Sequence, residues 1–246
     1  MTRSALIIGN PGETGASDYC PGVDWDLVHY KKFLLSPVGG AWYDSEITTL
    51  NRPNVATVRA AITTTMKYAS YSFVVFCGHG CTRGNSTILE LRKGEEINEL
   101  ELRRGSPRHT LVLDCCRELS KSVLAEDTMM RALLAKADME PRDTRKYFDE
   151  EIARCPTGLV VQHACALGET AQDDPKSGGY YSSNLIRAAD DWASARHSHY
   201  SASLLGVDAH TAAANKVVAL SGGRQNPPPP EKPRSGPYFP FGVVAF

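Results

Sequence analysis

Four uninterrupted apolar runs predict strands that are buried on both faces. Odd and even positions are equally apolar in these runs, so both faces of each strand must be covered, as in the centre of a parallel sheet. A polar-flanked run and the last residues of the chain are further strand candidates. The six runs are "ALIIGN" at 5–10, "SEITTL" at 45–50, "FVVFCGH" at 73–79, "TLVLDCC" at 110–116, "GLVVQHAC" at 158–165 and "FPFGVVAF" at 239–246.

Helical patterns separate these runs. Their alternation with strands predicts an α/β fold, with a mostly parallel sheet of about six strands and helices on both faces. Functional residues in such a sheet are expected at the carboxyl ends of its strands. The helical patterns lie at 25–34, where Trp25, Val28, Phe33 and Leu34 form an apolar stripe, after the capping residue Asn54, at 180–195 and at 209–223.

The length of the chain fits a single domain spanning residues 1–246, because 42% apolar residues can bury one large core. Residues 82–107 predict a short hairpin around Lys93-Gly94 followed by a helical turn. Residues 120–155 are charged and too long for a simple connection, which is typical of a functional insertion. The run "PPPPEKPRSGP" predicts a stiff, extended connection to the last strand.

Charge and cysteine usage limit the partners and the compartment. A net charge of −1 without a polybasic run favours neither nucleic acid nor an anionic membrane as a partner. No apolar run reaches the roughly 20 residues that a membrane-spanning helix needs. The seven cysteines are scattered, and the chain passes from "MTR" directly into a strand-like run. We therefore expect a reducing, cytoplasmic compartment.

Reactive side chains follow two of the buried runs. His79 ends the run at 73–79, and Cys115 and Cys116 end the run at 110–116. A cysteine is a nucleophile only as a thiolate, and a histidine on a neighbouring strand can act as its base. The N–H groups of Gly80 and Cys116 are candidate donors to the oxyanion of a tetrahedral intermediate. Gly78 and Gly80 would let the backbone approach a substrate closely.

Other interpretations of these residues remain open. Buried cysteine and strand-end histidine are often only packing residues. Zinc is a second alternative, since Cys77, His79 and Cys81 could join Cys115 and Cys116 as ligands, but consecutive cysteines on a strand point to opposite faces. The loop "NPGETGAS" after the first run lacks the Walker lysine and the G-x-G-x-x-G pattern, and no G-x-S-x-G motif indicates a serine hydrolase.

The chain resembles the caspase-like cysteine peptidases, and among them metacaspases and bacterial orthocaspases more than animal caspases. "YCPGVDWDLVHYKKFL" is similar to the family segment in which a glycine and, four residues later, an aspartate precede the first helix; these are Gly22 and Asp26. "FCGHG" resembles the strand and loop of the catalytic histidine, and "LDCCRE" resembles the nucleophile motif. The resemblance assigns these roles to His79 and Cys116.

The remaining similarity covers the second half of the chain. "VVQHACALGETAQDDPKSGGYYSSNLI" resembles the family's small-subunit strand, turn and helix. The resemblance divides the chain into a large-subunit-like half at 1–119, a linker at 120–155 and a small-subunit-like half at 156–246. Two features depart from the family. Arg117-Glu118 replaces the usual histidine and serine, and Cys116 follows His79 by 37 positions, whereas caspases use about 50.

The resemblance implies a peptidase that acts on protein or peptide substrates. The family positions that bind the residue before the scissile bond correspond to Asp26, Asp114 and Cys77, and two acidic residues there predict a basic residue, arginine before lysine. Family analogy further implies a zymogen in cell death or defence, activated by a protease, a regulatory partner or cleavage in the linker. No cofactor is required, and Asp173-Asp174 are candidate calcium ligands. A catalytically silent interaction module is the main alternative.

Overall fold

A five-stranded parallel sheet forms the centre of the protein. The computed structural model describes residues 1–64, 66–118, 140–196 and 200–246. The sheet has the order β2-β1-β3-β7-β8, and all four strand pairs are parallel. Its strands are β1 (Arg3–Asn10), β2 (Ile47–Asn51), β3 (Tyr71–Gly78), β7 (Arg108–Cys115) and β8 (Gly158–His163).

Three smaller antiparallel groups and six helices complete the described parts of the chain. The smaller strands are β4 (Gly80–Arg83), β5 (Ser86–Arg92) and β6 (Glu95–Asn98) in one group, β9 (Asp173–Asp174) with β10 (Gly178–Gly179), and β11 (Ala202–Leu205) with β12 (Pro240–Val244). The helices are α1 (Gly22–Leu35), α2 (Val55–Thr64), α3 (Glu99–Leu102), α4 (Pro141–Arg154), α5 (Tyr180–Ser194) and α6 (Gly206–Leu220).

Side chains of the central strands alternate between two apolar clusters, one on each face of the sheet. Ile7, Val75 and Val112 pack into the cluster formed with α1, α4, α5 and α6. The next residues along the strands, Ile8 and Phe76 among them, pack into the cluster formed with α2, α3 and the β5–β6 hairpin. Burial on both faces explains why the predicted strands lack polar alternation.

Several predicted elements are confirmed, including the hairpin at Lys93-Gly94 and the cap at Asn54, whose Oδ1 accepts the Thr57 N–H at 2.7 Å. The apolar stripe of α1 was assigned partly to the wrong face. Trp25 and Val28 are 45% and 54% exposed, whereas Phe33 and Leu34 are buried as expected. The buried face starts at Val23 and continues through Leu27, Tyr30 and Leu34, which is the helical i, i+4, i+7, i+11 spacing.

The last strand does not extend the central sheet as its sixth member. β12 pairs instead with β11, in antiparallel orientation. The free edge of β8 is met by Glu231 from the proline-rich segment, which exchanges two backbone hydrogen bonds with Val161 at 2.8 and 2.9 Å. Proline cannot continue a ladder, so this pairing stays limited to one bridge.

The predicted linker lies only partly within the described residues. Residues 119–139 are outside them, and residues 141–154 form α4. Across the described ranges, no helix is long and apolar enough to span a bilayer.

Candidate active site

The catalytic candidates follow directly after two hydrogen-bonded strands. In the register of β3 and β7, Gly78 lies opposite Cys115, so His79 and Cys116 are the next residue of each strand. The loop that carries His79 passes close to the cysteine pair. A Cβ atom placed on Gly80 would lie 2.8 Å from the Cys115 Sγ and 3.0 Å from the Cys116 carbonyl oxygen. The two backbone segments expected to form the oxyanion hole are therefore adjacent.

Gly78 directs the chain toward His79 through a close backbone contact. Its φ of +140° is rarely adopted by other residues, and a Cβ there would lie 2.2 Å from the Asn10 carbonyl oxygen on β1. The sequence interpretation gave this glycine a role in substrate approach. In the structure, the close neighbour is instead a strand of the same sheet.

The glycine-rich loop after β1 covers His79, the candidate catalytic histidine. Gly12 has a φ of +82°, and a Cβ placed on it would lie 2.8 Å from the His79 Nε2. That Nε2 atom is buried and has no hydrogen-bond partner among the described residues. The loop that sequence patterns compared with a phosphate-binding loop thus packs over the imidazole.

Cys116 and Cys115 have opposite environments, as strand alternation predicts. Cys115 is 1% exposed and belongs to the apolar cluster of α2 and the hairpin. Cys116 is half-buried, and its thiol donates to the Ala171 carbonyl oxygen at 3.6 Å. Burial, assisted by the charges of Glu118 and Asp114, raises the pKa of Cys116 to about 11. Burial therefore disfavours the thiolate of Cys116, and nucleophilic chemistry at this cysteine would require a base.

The three predicted substrate-binding residues lie together beneath this site. Asp26 comes from α1, Cys77 from β3 and Asp114 from β7, and their ligand atoms all lie within 4.8 Å of one another. Both carboxylates are buried, at 1% and 5% exposure. Burial and the charge of Asp114 raise the pKa of Asp26 well above its usual value, and burial raises the pKa of Asp114 to about 6.

The carboxylates are held by backbone and hydroxyl donors. Both oxygens of Asp26 accept the Gly179 N–H at 3.0 Å. Asp114 accepts the Ser182 N–H at 2.9 Å and the Ser182 hydroxyl at 2.6 Å. Within the described ranges, neither carboxylate is paired with a lysine or arginine. The group, which we call the acidic recess, is thus a buried acidic cluster covered by the backbone of β10, and none of the described lysines or arginines pairs with it.

Asp173 is a third carboxylate near the recess. The sequence interpretation named it only as a candidate calcium ligand. It lies on β9, where its Oδ2 accepts the N–H of Gly22, the first residue of α1, at 3.0 Å. Burial raises the pKa of Asp173, and the nearby His79 opposes that rise. The charge of Asp173 in turn raises the pKa values of Asp26 and Cys116. A third carboxylate is therefore electrostatically coupled both to Asp26 and to the candidate pair His79 and Cys116.

The residues predicted to bind zinc and those predicted to bind calcium lie in different parts of the structure. Among the described residues, the group of three potential ligands with closely spaced atoms is Asp26, Cys77 and Asp114. The other zinc candidates Cys81, Cys115 and Cys116 do not belong to this group. A metal in this group would have to displace the N–H donors of Gly179 and Ser182. Calcium binding by Asp173-Asp174 stays a prediction; Asp174 accepts the N–H groups of a tight turn at 2.8 and 2.9 Å.

Three further histidines have contacts typical of residues that stabilise the fold. His109 contacts the Ser72 hydroxyl at 2.6 Å and the Leu102 carbonyl at 2.8 Å. His210 contacts the Tyr181 hydroxyl at 2.7 Å, and His29 stacks on Trp25. His197 and His199, which the sequence favours as structural or solvated residues, lie outside the described residues.

A thiol and an imidazole at neighbouring strand ends, in an α/β sheet, are an arrangement typical of cysteine peptidases. The family model of the caspase domain matches residues 2–229, and the chain belongs to this family. Membership of this family supports a cysteine-type peptidase with protein substrates. No individual curated protein matches the chain in sequence.

Proposed function

We propose that the protein is a cysteine endopeptidase that cleaves after arginine, using Cys116 as nucleophile and His79 as acid and base. The observation that carries this proposal is the acidic recess next to the two strand ends, whose buried carboxylates pair with no lysine or arginine in the described part of the chain. A buried carboxylate is stabilised by a bound cation, and a guanidinium offers two parallel donors to it.

The reaction follows from the two side chains. His79 accepts the Cys116 proton, and the thiolate attacks the scissile carbonyl carbon. The N–H groups of Gly80 and Cys116 stabilise the oxyanion. The C–N bond then breaks, and the leaving amine takes the proton from His79. Water, losing a proton to His79, hydrolyses the thioester and restores the thiol.

Recognition of the substrate cation requires a rearrangement of β10. A Cβ on Gly179 would lie 2.5 Å from the Asp114 Oδ2, so the backbone of β10 lies directly on the carboxylates. The two N–H donors of Gly179 and Ser182 occupy positions that a guanidinium needs. Asp173 is partly exposed and is the carboxylate that a substrate cation meets first.

Peptides that differ only in the residue before the cut test the specificity. Arginine should be the best residue, lysine weaker, and aspartate slower on the order of a hundredfold or more in kcat/KM. Asp26→Ala, Asp114→Ala and Asp173→Asn should each reduce the preference for arginine. Asp44→Asn is the control, because that carboxylate is exposed and pairs with Lys31 at the surface. Equal cleavage after aspartate refutes the recess as the specificity site.

Activation takes place in the segment that precedes α4. Arg145 on α4 forms an ion pair with Glu46 at 2.6 Å, and helical residues are poor cleavage sites. The basic residues before the helix are Lys121, Arg131 and Lys136, and an arginine-specific enzyme would cut after Arg131. Mass spectrometry of active protein should find this cut. An uncut, fully active chain would instead indicate activation by a partner or by calcium. The proposed role in cell death or defence rests on family analogy.

The closed recess and the buried Nε2 of His79 also favour a second candidate, a catalytically silent interaction module. The two candidates differ in the reactivity of Cys116. A peptide electrophile that labels wild type but not Cys116→Ala supports the peptidase. Absence of labelling together with about one zinc per chain would favour the metal-binding alternative.

A further inference from the structure

A fully buried glutamine from the C-terminal part of the chain joins both ends of an active-site loop. Gln225 is 0% exposed and follows α6. Its Nε2 donates to the Ala164 carbonyl oxygen at 3.0 Å, and its Oε1 accepts the Gln172 N–H at 3.0 Å. Its own N–H donates to the Ser221 hydroxyl at 3.0 Å. One carboxamide thus closes the loop from 164 to 172, which we call the β8 loop.

The β8 loop contacts the candidate nucleophile Cys116 and leads directly into Asp173. The Ala171 carbonyl oxygen accepts the Cys116 thiol, and Asp173, the residue after the loop, contacts the start of α1. Gln225 binds the N–H of Gln172. This residue is flanked by Ala171, which contacts Cys116, and by Asp173, the third carboxylate.

The neighbouring residue strengthens the same connection. Asn226 donates its N–H and its Nδ2 to the two oxygens of Glu169, both at 2.7 Å. The Glu169 carbonyl oxygen accepts the N–H of Arg117, the residue after the nucleophile, at 2.8 Å. The polar network thus runs from the C-terminal segment through the β8 loop to the Cys116 backbone.

We propose that Gln225 is a positioning residue of the active site, which holds the β8 loop so that Ala171 contacts Cys116 and Asp173 borders the acidic recess. A neutral carboxamide both donates and accepts, and the two loop ends require one donor and one acceptor. Replacing it leaves a buried carbonyl and a buried N–H unpaired, so the loop is expected to move toward water. The catalytic consequence rests on the proposed function; the consequence for the loop does not.

Gln162 provides a matched control. It is 1% exposed, donates from Nε2 to the Gly206 carbonyl at 2.7 Å and accepts the Tyr181 hydroxyl at 3.4 Å. It joins β8 to α5 and α6 without contacting the β8 loop. Gln162→Ala therefore removes the same chemical groups from an equally buried position and reports the general loss of stability.

The experiment compares Gln225→Ala, Gln162→Ala and wild type at a temperature at which all three are folded. Gln225→Ala should accelerate hydrogen exchange in a peptide covering 164–172 and change the rate at which iodoacetamide alkylates Cys116. It should also lower kcat/KM for arginine peptides about 10- to 100-fold, mainly through kcat. Gln162→Ala should leave loop exchange and alkylation unchanged and kcat/KM within about twofold.

Loop exchange and alkylation that are the same in Gln225→Ala as in wild type overturn the proposal. If Gln225→Ala does not fold, Gln225→Asn carries the test, because its shorter carboxamide cannot reach both loop ends; wild-type values in that variant also overturn the proposal. A wild-type protein without peptidase activity would refute the proposed function. Hydrogen exchange and alkylation would still decide the role of Gln225.

Discussion

The paired carboxylates of Asp26 and Asp114 make stability depend on pH at the scale of single residues. Burial raises the pKa of Asp114 to about 6, above its usual 3.8, and raises that of Asp26 as well. The folded state therefore binds more protons than the unfolded state across this range. The contribution of the pair to the free energy of unfolding is greatest below about pH 4 and decreases as the pH rises through about 6.

Asp114→Asn should stabilise the protein at pH 8 and lose this advantage at pH 4. The asparagine oxygen can still accept from Ser182, and its amide can donate to Asp26. The expected gain at pH 8 is on the order of 1–3 kcal/mol, measured by urea unfolding at both pH values. Asp44→Asn is the control, because that exposed carboxylate pairs only with Lys31 at the surface. A variant less stable than wild type at pH 8 contradicts this electrostatic account.

Sequence motifs could indicate the candidate pair His79 and Cys116 and the two carboxylates Asp26 and Asp114, because each follows or lies within a recognisable strand or helix start. Asp173 could not be assigned in the same way. Its contact with Gly22 joins positions 151 residues apart and depends on how β9 packs along α1. Gln225 could not be singled out either, since a polar residue close to a proline run is expected to be exposed, and its complete burial depends on the folded chain.

At the scale of elements, the end of β3 determines where His79 lies. Gly78→Ala would place a Cβ 2.2 Å from a β1 carbonyl oxygen at an unfavourable φ. We expect a loss of about 3 kcal/mol in the free energy of unfolding and loss of activity. Gly84→Ala is the control, because its φ is also positive but, apart from its two chain neighbours, no described residue lies within 4 Å of the added Cβ. It should cost about 1 kcal/mol, and equal losses in the two variants would argue against the backbone contact.

The strands and most helices could be predicted because their patterns are local. Apolar runs without alternation required a sheet covered on both faces, and the two apolar clusters confirm this. The exposed face of α1 and the position of β12 could not be read reliably. Trp25 is apolar in sequence, but its indole N–H donates to the Pro175 carbonyl at 3.1 Å on the surface. The partner of β12 depends on the distant strand β11.

At the scale of the whole molecule, the two halves of the chain are joined by the sheet itself. β7 and β8 pair in parallel from Arg108 opposite Gly158 to Leu113 opposite His163. A chain cut between 119 and 139 should therefore stay associated. Its two fragments should co-elute in native size-exclusion chromatography and separate only in denaturant. Fragments that separate under native conditions would show that the linker is needed to hold the halves together.

The central claim is that Cys116, and not its neighbour, is the nucleophile of a peptidase that recognises arginine. The most direct measurement is covalent labelling by an arginine-containing peptide electrophile, quantified by mass spectrometry in wild type, Cys116→Ala, Cys115→Ala and His79→Ala. Labelling should be lost in Cys116→Ala, strongly slowed in His79→Ala, and retained in Cys115→Ala, which loses only stability because its side chain is in the core. Undiminished labelling of Cys116→Ala, or labelling that depends on Cys115, would contradict the account.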